Sequence, residues 1–155
     1  MPPCFQILDS LVGVVLTEVE PQSAPLSGPE KDRLIAAARA MLERAYAPYS
    51  NFQVGAAVLT VAGNTYTGCN VENASYGLTN CAERSAIFSA VAAEGPGMKL
   101  RAVAVLNGAQ VPCSPCGACR QVIFEFGPQA HVIYQGKTEL DQSTASELLP
   151  AGFVL

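Results

Sequence analysis

The sequence is organised around the stretch Ser114-Pro115-Cys116-Gly117-Ala118-Cys119-Arg120. Ser114 is a favourable N-cap and Pro115 suits the first helical position, so we expect a helix to begin here. Cys116 and Cys119 then lie three residues apart on one helical face, with Cβ atoms about 5–6 Å apart. A tetrahedral zinc ion, with zinc–sulfur bonds of about 2.3 Å, can bridge that gap. The spacing predicts a site for one metal ion, although Cys-x-x-Cys alone is also typical of structural half-sites and redox pairs.

A second expected helix start, Cys81-Ala82-Glu83-Arg84, adds a third thiol and a carboxylate. Thiolates are favoured at the positive end of a helix dipole. Three protein ligands leave the fourth position of a zinc ion to water, as in catalytic sites, and a nearby Glu83 can then move protons. By itself Glu83, three residues after Asn80, suits a capping box equally well. Together the two stretches form, with cysteine in place of histidine, the signature of zinc-dependent base deaminases.

Longer parts of the chain resemble the small cytidine deaminases of nucleoside salvage. The matching stretches are Asn51-Phe52-Gln53-Val54-Gly55-Ala56-Ala57, Cys69-Asn70-Val71-Glu72-Asn73-Ala74-Ser75-Tyr76, Cys81-Ala82-Glu83-Arg84 and Pro115-Cys116-Gly117-Ala118-Cys119-Arg120-Gln121. The resemblance extends from about Glu30 to Phe153. It implies a three-layer α-β-α domain with a mixed, mostly five-stranded sheet, one Zn²⁺ per chain, and a homotetramer with shared active sites.

The resemblance also implies a reaction, the hydrolytic deamination of cytidine and deoxycytidine to uridine and deoxyuridine with release of ammonia. Cys81, Cys116 and Cys119 are the implied zinc ligands. Glu83 is implied to take a proton from the attacking water, deliver it to ring N3 and then protonate the departing amine.

Six further residues are implied to contact the substrate. Asn70 and Glu72 would bind the ribose; in an extended segment they point to the same side, and their amide and carboxylate groups suit hydroxyls. Phe52 is implied to pack against the nucleoside, although a phenylalanine before a buried strand is also typical of a core. Backbone groups near Ala82 and Ser114 are implied to hold the pyrimidine. Phe153 is implied to close the pocket of a neighbouring subunit, the alternative being that it caps its own core.

Two arginines and two other residues complete the candidates. Three thiolates give a zinc site a formal charge of −1, so we expect Arg84 and Arg120 to donate hydrogen bonds to sulfur unless they are exposed to solvent. Cys113 precedes the expected cap and is therefore not expected to be a ligand. His131 lies in a predicted strand, and we interpret it as structural.

Hydrophobic periodicity and turn residues predict one domain over residues 27–155, which the resemblance implies is the catalytic domain. The order β-α-β-α-β in its second half indicates an α/β layered fold. Residues 1–26 are interpreted as an extension, either an extra strand or, as we favour, an unfolded segment. The predicted elements are helices over Pro29–Tyr46, Cys81–Glu94 and Cys116–Phe126, strands over Val54–Thr60, Thr65–Cys69, Leu100–Leu106 and His131–Gln135, and a short last helix that starts at the capping box Thr144-Ala145-Ser146-Glu147.

Composition excludes several classes of function. Nine Lys and Arg residues against thirteen Asp and Glu give a formal net charge of −4, and no basic cluster is available for a polynucleotide. No apolar run reaches the roughly 20 residues of a membrane span, and no secretory signal is recognisable. We therefore expect a cytoplasmic protein that acts on a small molecule, in which the six cysteines bind metal or remain free thiols.

Two rival functions remain open. One is a deaminase of a modified cytosine nucleoside such as blasticidin S. The plain nucleoside is favoured over this substrate by the stretch Asn70-Val71-Glu72-Asn73-Ala74. The other is a zinc-stabilised binding module without catalysis, which leaves Glu83 unexplained.

Overall fold

The computed structural model describes residues 24–155. Residues 1–23 of the predicted extension therefore lie outside the described residues. The last three residues of the extension, 24–26, contact the domain. The Ala24 carbonyl lies 3.1 Å from His131 Nε2, and the Pro25 carbonyl accepts a hydrogen bond of 3.4 Å from Arg101. Leu26 packs against buried apolar side chains.

A five-stranded sheet forms the centre of the described domain. Its strands are β1 (Val54–Thr60), β2 (Thr65–Cys69), β3 (Leu100–Asn107), β4 (His131–Gln135) and β5 (Leu140–Thr144). They lie in the order β2-β1-β3-β4-β5, where only β3 and β4 are parallel. The sheet is mixed, as predicted.

Alternating side chains of the central strands supply two separate apolar faces. Ala56 and Val58 of β1 belong to one buried cluster, whereas Ala57 and Leu59 belong to the other. A strand buried on both faces needs helices above and below it.

Four helices provide this cover. They are α1 (Gly28–Ala40), α2 (Ala82–Glu94), α3 (Gly117–Phe126) and α4 (Ala145–Leu148). α1 supplies Leu34 and Ala38 to one cluster, while α2 and α3 supply Ala86 and Ile123 to the opposite one. The predicted three-layer α-β-α architecture is thus confirmed. None of the helices in residues 24–155 is long and apolar enough to span a bilayer.

The first helix is shorter than the sequence predicts. It ends at Ala40 and is followed by a 3₁₀ turn over Leu42–Arg44, instead of continuing to Tyr46. Tyr46 is extended because its N–H donates to the Asn70 carbonyl and its own carbonyl accepts from the Glu72 N–H. This pairing with a segment distant in sequence prevents the helix from continuing.

α2 lies unusually close to β2. A Cβ atom at Gly68 would stand 2.6 Å from the Ala82 carbonyl oxygen and 2.7 Å from Ser85 Cβ, so only glycine allows this approach. The close packing fixes the first turn of α2 against the sheet.

One end of the sheet collects the candidate site residues. Gly55, near the start of β1, pairs with Cys69 at the end of β2 and with Leu106 near the end of β3. The segments that follow β2 and β3 and precede β1 therefore meet at this end, where α2 and α3 also begin.

Candidate active site

Three cysteine sulfurs converge where α2 and α3 begin. Cys81 is the N-cap of α2, Cys116 is the N-cap of α3, and Cys119 lies in the first turn of α3. Their Sγ atoms all lie within 4.8 Å of one another, and those of Cys81 and Cys116 are 3.9 Å apart. No other group of three or more potential ligands of this kind occurs in the described part of the chain.

This geometry suits zinc. Two sulfurs of a tetrahedral zinc site, each about 2.3 Å from the metal, lie about 3.8 Å apart. The measured Cys81–Cys116 separation agrees with this value. Neither N-cap cysteine makes a side-chain capping hydrogen bond, so both sulfurs remain available to a metal.

Arg84 provides positive charge beside these thiols. Its Nη2 donates to Cys81 Sγ at 3.5 Å and to the Thr79 carbonyl at 3.3 Å. A hydrogen bond from the Cys119 thiol, together with the Arg84 guanidinium, holds the pKa of Cys81 below its usual range. The site therefore favours a thiolate at neutral pH.

Glu83 is the buried acid of the site. Its side chain is 4% exposed, and burial raises its pKa to about 7, with the nearby Cys81 adding to the rise. A carboxyl group with a pKa near neutrality can both accept and donate a proton at physiological pH.

The start of α3 differs from the prediction. Cys116 caps the helix, whereas Ser114 and Pro115 precede it. The Ser114 hydroxyl accepts from Arg120 Nη2 at 2.9 Å, and the Pro115 carbonyl accepts from Arg120 Nε at 2.8 Å. These groups are committed to the arginine, so they do not start the helix.

Arg120 consequently does not play the predicted part. A third hydrogen bond, 3.1 Å from Nη1, goes to the Leu148 carbonyl at the end of α4. Within residues 24–155 none of the three bonds reaches a sulfur. The prediction for Arg120 was wrong because the nearby oxygens of Ser114 and Pro115 and the distant Leu148 carbonyl bind all three donor nitrogens. Arg120 thus ties the segment before Cys116 to the end of the domain.

A cleft opens beside the thiols. Cys81, Cys116 and Glu83 line it. It also contains five of the six predicted substrate contacts, namely Phe52, Asn70, Glu72, Ala82 and Ser114. Phe153, near the C-terminus, does not line this cleft, and its side chain is 66% exposed.

Asn70 and Glu72 both hold the segment before β1. The Asn70 amide accepts from the Val54 N–H and donates to the Phe52 carbonyl, each at 2.8 Å. Glu72 accepts from the backbone of Tyr49 and Ser50. Both side chains face the cleft with part of their hydrogen-bonding capacity already used by the protein.

Sequence reasoning missed several lining residues. Ser50, Thr79, Asn80 and Val105 line the cleft together with Cys113. Cys113 lies outside the thiol cluster, as expected, although burial raises its pKa at the wall of the cleft. Ser50 follows Pro48-Tyr49 in a turn, two residues before the predicted contact Phe52, and a hydroxyl at that place was the available signal.

Comparison with known proteins identifies the family. Residues 29–135 match the family model described as the cytidine and deoxycytidylate deaminase zinc-binding region. A cytidine deaminase of Sporosarcina psychrophila is 46% identical over 125 residues, which are 79% of this chain and 90% of that protein. One of Halalkalibacterium halodurans is 48% identical over 126 residues, 80% of this chain and 94% of that protein.

A solved structure agrees with these matches. The crystal structure of a cytidine deaminase from Burkholderia pseudomallei superposes with a TM-score of 0.70 and 51% identity, covering 79% of this chain and 98% of that one. Fold, thiol cluster and sequence similarity agree, and the chain belongs to the zinc-dependent cytidine and deoxycytidylate deaminase family.

Proposed function

We propose that this protein deaminates free cytidine and deoxycytidine hydrolytically, giving uridine or deoxyuridine and ammonia. The observation that carries the proposal is the buried Glu83, which lines the same cleft as the thiols of Cys81 and Cys116. A structural metal site needs no acid at this position, and burying one is unfavourable. A non-catalytic zinc module therefore leaves this feature without a reason.

The charge of the cleft favours a nucleoside over a nucleotide. Two carboxylates, Glu72 and Glu83, line it, and its lining within residues 24–155 contains no lysine or arginine. Lysine and arginine are the side chains that bind a phosphate group by charge-assisted hydrogen bonds, and the cleft offers neither. The family includes enzymes named for deoxycytidylate, and this cleft is unsuited to that phosphate.

Each residue has a proposed role. Cys81, Cys116 and Cys119 hold the metal, with Arg84 donating to the Cys81 sulfur. Zinc bound there supplies Lewis-acid chemistry that lowers the pKa of water from about 15.7 towards 7. Glu83 accepts one proton of the attacking water and passes it to ring N3 as the water oxygen bonds to C4. It then takes the second proton from that oxygen and gives it to the exocyclic nitrogen, so that the bond from C4 to this nitrogen breaks and ammonia leaves.

The other lining residues bind the substrate in this proposal. Asn70 and Glu72 bind the sugar, and Phe52 packs on the nucleoside. Backbone groups of Ala82 and Ser114 hydrogen-bond the pyrimidine. The support for these roles is that all five residues line one cleft.

An absorbance assay tests the proposal. Purified zinc-loaded protein should change the ultraviolet spectrum of cytidine and deoxycytidine, whereas deoxycytidylate and blasticidin S should be converted at least tenfold more slowly. A spectral change with blasticidin S alone would support the rival deaminase. Full zinc content with no conversion of any substrate would support a non-catalytic module.

We also propose a cytoplasmic homotetramer with shared active sites. Large apolar side chains are exposed on the described chain, among them Tyr76, Leu78 and Phe153. The C-terminal segment is held against α3, because Gln121 donates to the Phe153 carbonyl at 2.8 Å. The Phe153 side chain is exposed, and in the proposed tetramer it reaches a neighbour's cleft. The five cysteines within residues 24–155 are all free thiols, which supports a reducing compartment.

Sedimentation and kinetics test the shared site. Phe153→Ala should raise the Michaelis constant for cytidine several-fold, since stacking of a base on an aromatic side chain contributes about 1–3 kcal/mol. Zinc content should stay near one per chain. A monomer that turns over cytidine normally, with or without the Phe153 ring, would contradict the proposal.

A further inference from the structure

Arg120 fastens the segment that leads into α3. Its Nε donates to the Pro115 carbonyl at 2.8 Å, and its Nη2 donates to the Ser114 hydroxyl at 2.9 Å. The backbone N–H of the same residue donates to the Cys116 carbonyl at 2.9 Å. Three consecutive residues, the last of them a proposed zinc ligand, are therefore bonded to one arginine.

This arrangement takes the place of a side-chain cap at the start of α3. A helix start is commonly fixed by a serine, threonine, aspartate or asparagine whose side chain accepts a backbone N–H of the first turn. Cys116 occupies that position, and its sulfur makes no such bond. Arg120 holds the backbone instead, which leaves the Cys116 sulfur available to a metal.

The third side-chain bond of Arg120 reaches a different helix. Its Nη1 donates at 3.1 Å to the Leu148 carbonyl at the end of α4, where carbonyl groups lack a partner within the helix. Ala145 and Leu148 of α4 belong to or pack against the buried apolar cluster beneath α2 and α3. The guanidinium group is therefore anchored to the core of the domain, and it holds the segment before Cys116 relative to that core.

The three proposed ligands are held in different ways. Cys81 caps α2, whose first turn packs closely against β2 at Gly68. Cys119 lies within α3 and is buried. Cys116 is exposed and lies on the segment that Arg120 fastens. Of the three sulfurs, that of Cys116 therefore depends most on Arg120 for its position.

We propose that Arg120 is a positioning residue for the zinc site, which acts on the backbone before Cys116 and not on a sulfur. It holds Cys116 where the thiols of Cys81 and Cys119 can share a metal ion with it. The inference rests on this proposed ligand set and concerns metal binding, so it is tested apart from turnover. The planar fork of the guanidinium group matters because its three nitrogens bond three separate acceptors, whereas an ammonium group has only one nitrogen.

Zinc affinity measures this role directly. A chelator of known affinity competes for zinc with the zinc-loaded full chain, and the cobalt-substituted protein gives a visible absorption spectrum that reports the geometry of metal–thiolate coordination. Wild type is compared with Arg120→Ala, Arg120→Lys and Ser114→Ala. The thermal midpoint of every variant is measured as well.

Arg101→Ala is the matched control. The Arg101 side chain is 12% exposed and bonds both the Glu30 carboxylate and the Pro25 carbonyl. It lies near the start of β3, at the end of the sheet away from the cysteines. Its loss therefore removes comparable bonds without touching the segment before Cys116.

Arg120→Ala should weaken zinc binding about 10- to 100-fold, as the loss of a group that orients a metal ligand typically does. Arg120→Lys keeps the positive charge but should recover only part of this loss. Ser114→Ala removes one of the two side-chain bonds to the segment and should give a smaller loss. Arg101→Ala should lower the thermal midpoint, while its zinc affinity and cobalt spectrum match those of wild type.

Three results overturn the inference. Full recovery of zinc affinity in Arg120→Lys means that Arg120 acts through its charge. An equal loss of zinc affinity in Arg101→Ala means that the effect follows global stability. Wild-type affinity and an unchanged cobalt spectrum in Arg120→Ala mean that the segment keeps its position without the arginine.

Two further outcomes remain decisive. If Arg120→Ala does not fold, Arg120→Lys and Ser114→Ala carry the same comparison, and wild-type zinc affinity in both contradicts the inference. If the zinc-loaded wild type converts no nucleoside, the proposed function fails, and the zinc affinities still decide the role of Arg120.

Discussion

Replacing Glu83 with glutamine should remove activity and, in the metal-free protein, increase stability. The carboxyl group has an ordinary pKa of 4.5, which burial raises to about 7 in the fold. The folded state therefore binds more protons than the unfolded state between these two pH values, and wild-type stability falls as pH rises through this interval. Glutamine does not titrate, so it avoids that loss.

The size of the effect follows from the two pKa values. Their difference corresponds to about 3 kcal/mol at pH 8, and to nothing below pH 4. A gain of that size is a large fraction of the stability of a domain, which is typically about 5–15 kcal/mol. The buried acid would then be a site where function is retained at the expense of stability.

Urea unfolding of the metal-free proteins at pH 4, 6 and 8 measures this effect. Glu83→Gln should match wild type at pH 4 and exceed it by a growing margin at pH 6 and 8. Glu125→Gln, an exposed glutamate on α3, should show no such trend. A difference that is independent of pH, or a less stable Glu83→Gln protein at pH 8, would refute the reasoning.

The zinc-loaded protein tests the predicted loss of activity in Glu83→Gln. A positive ion offsets the cost of an ionised carboxylate, so the stability gain should shrink when zinc is present. Turnover of cytidine should fall by about 10²–10⁴-fold or more, the usual contribution of a general acid–base group. A variant that keeps a tenth of wild-type turnover would remove Glu83 from the mechanism.

Further predictions concern the metal, the packing and acid stability. Cys116→Ala should lose zinc by elemental analysis while Cys113→Ala keeps about one ion per chain; the reverse pattern would show that the ligand set is wrong. Gly68→Ala should destabilise the protein by about 1–3 kcal/mol in urea unfolding, because its Cβ overlaps α2, whereas Gly97→Ala, whose Cβ meets nothing within 4 Å, should not. Hydrogen bonding to Arg101 lowers the pKa of Glu30 to about 2, so its contribution is complete above pH 4.5 and lost as pH falls towards 2. Glu30→Gln should therefore lower the thermal midpoint at pH 7, and its difference from wild type should shrink steadily as pH falls from 4.5 towards 2.

The sequence alone determined the chemistry of the site and most of the elements. The thiols and the acid lie in two short stretches, so their spacing could be interpreted without a fold. Four of the five strands were also predicted, because burial on one or both faces leaves a local pattern of side chains. β5 (Leu140–Thr144) was not placed, since it lies at the sheet edge and only partly buried or exposed residues form it.

Only the tertiary structure decided which hydrogen bonds these residues make. Arg120 binds the Leu148 carbonyl instead of a sulfur, and Glu72 binds the turn at Ser50. The end of α1 depends in the same way on the pairing of Tyr46 with the segment around Val71. Hydrophobic periodicity is a property of neighbouring residues, whereas the partner of a polar group is any complementary atom that folding brings within about 3 Å. That atom is often 20 or more residues away, and the sequence contains no local sign of it.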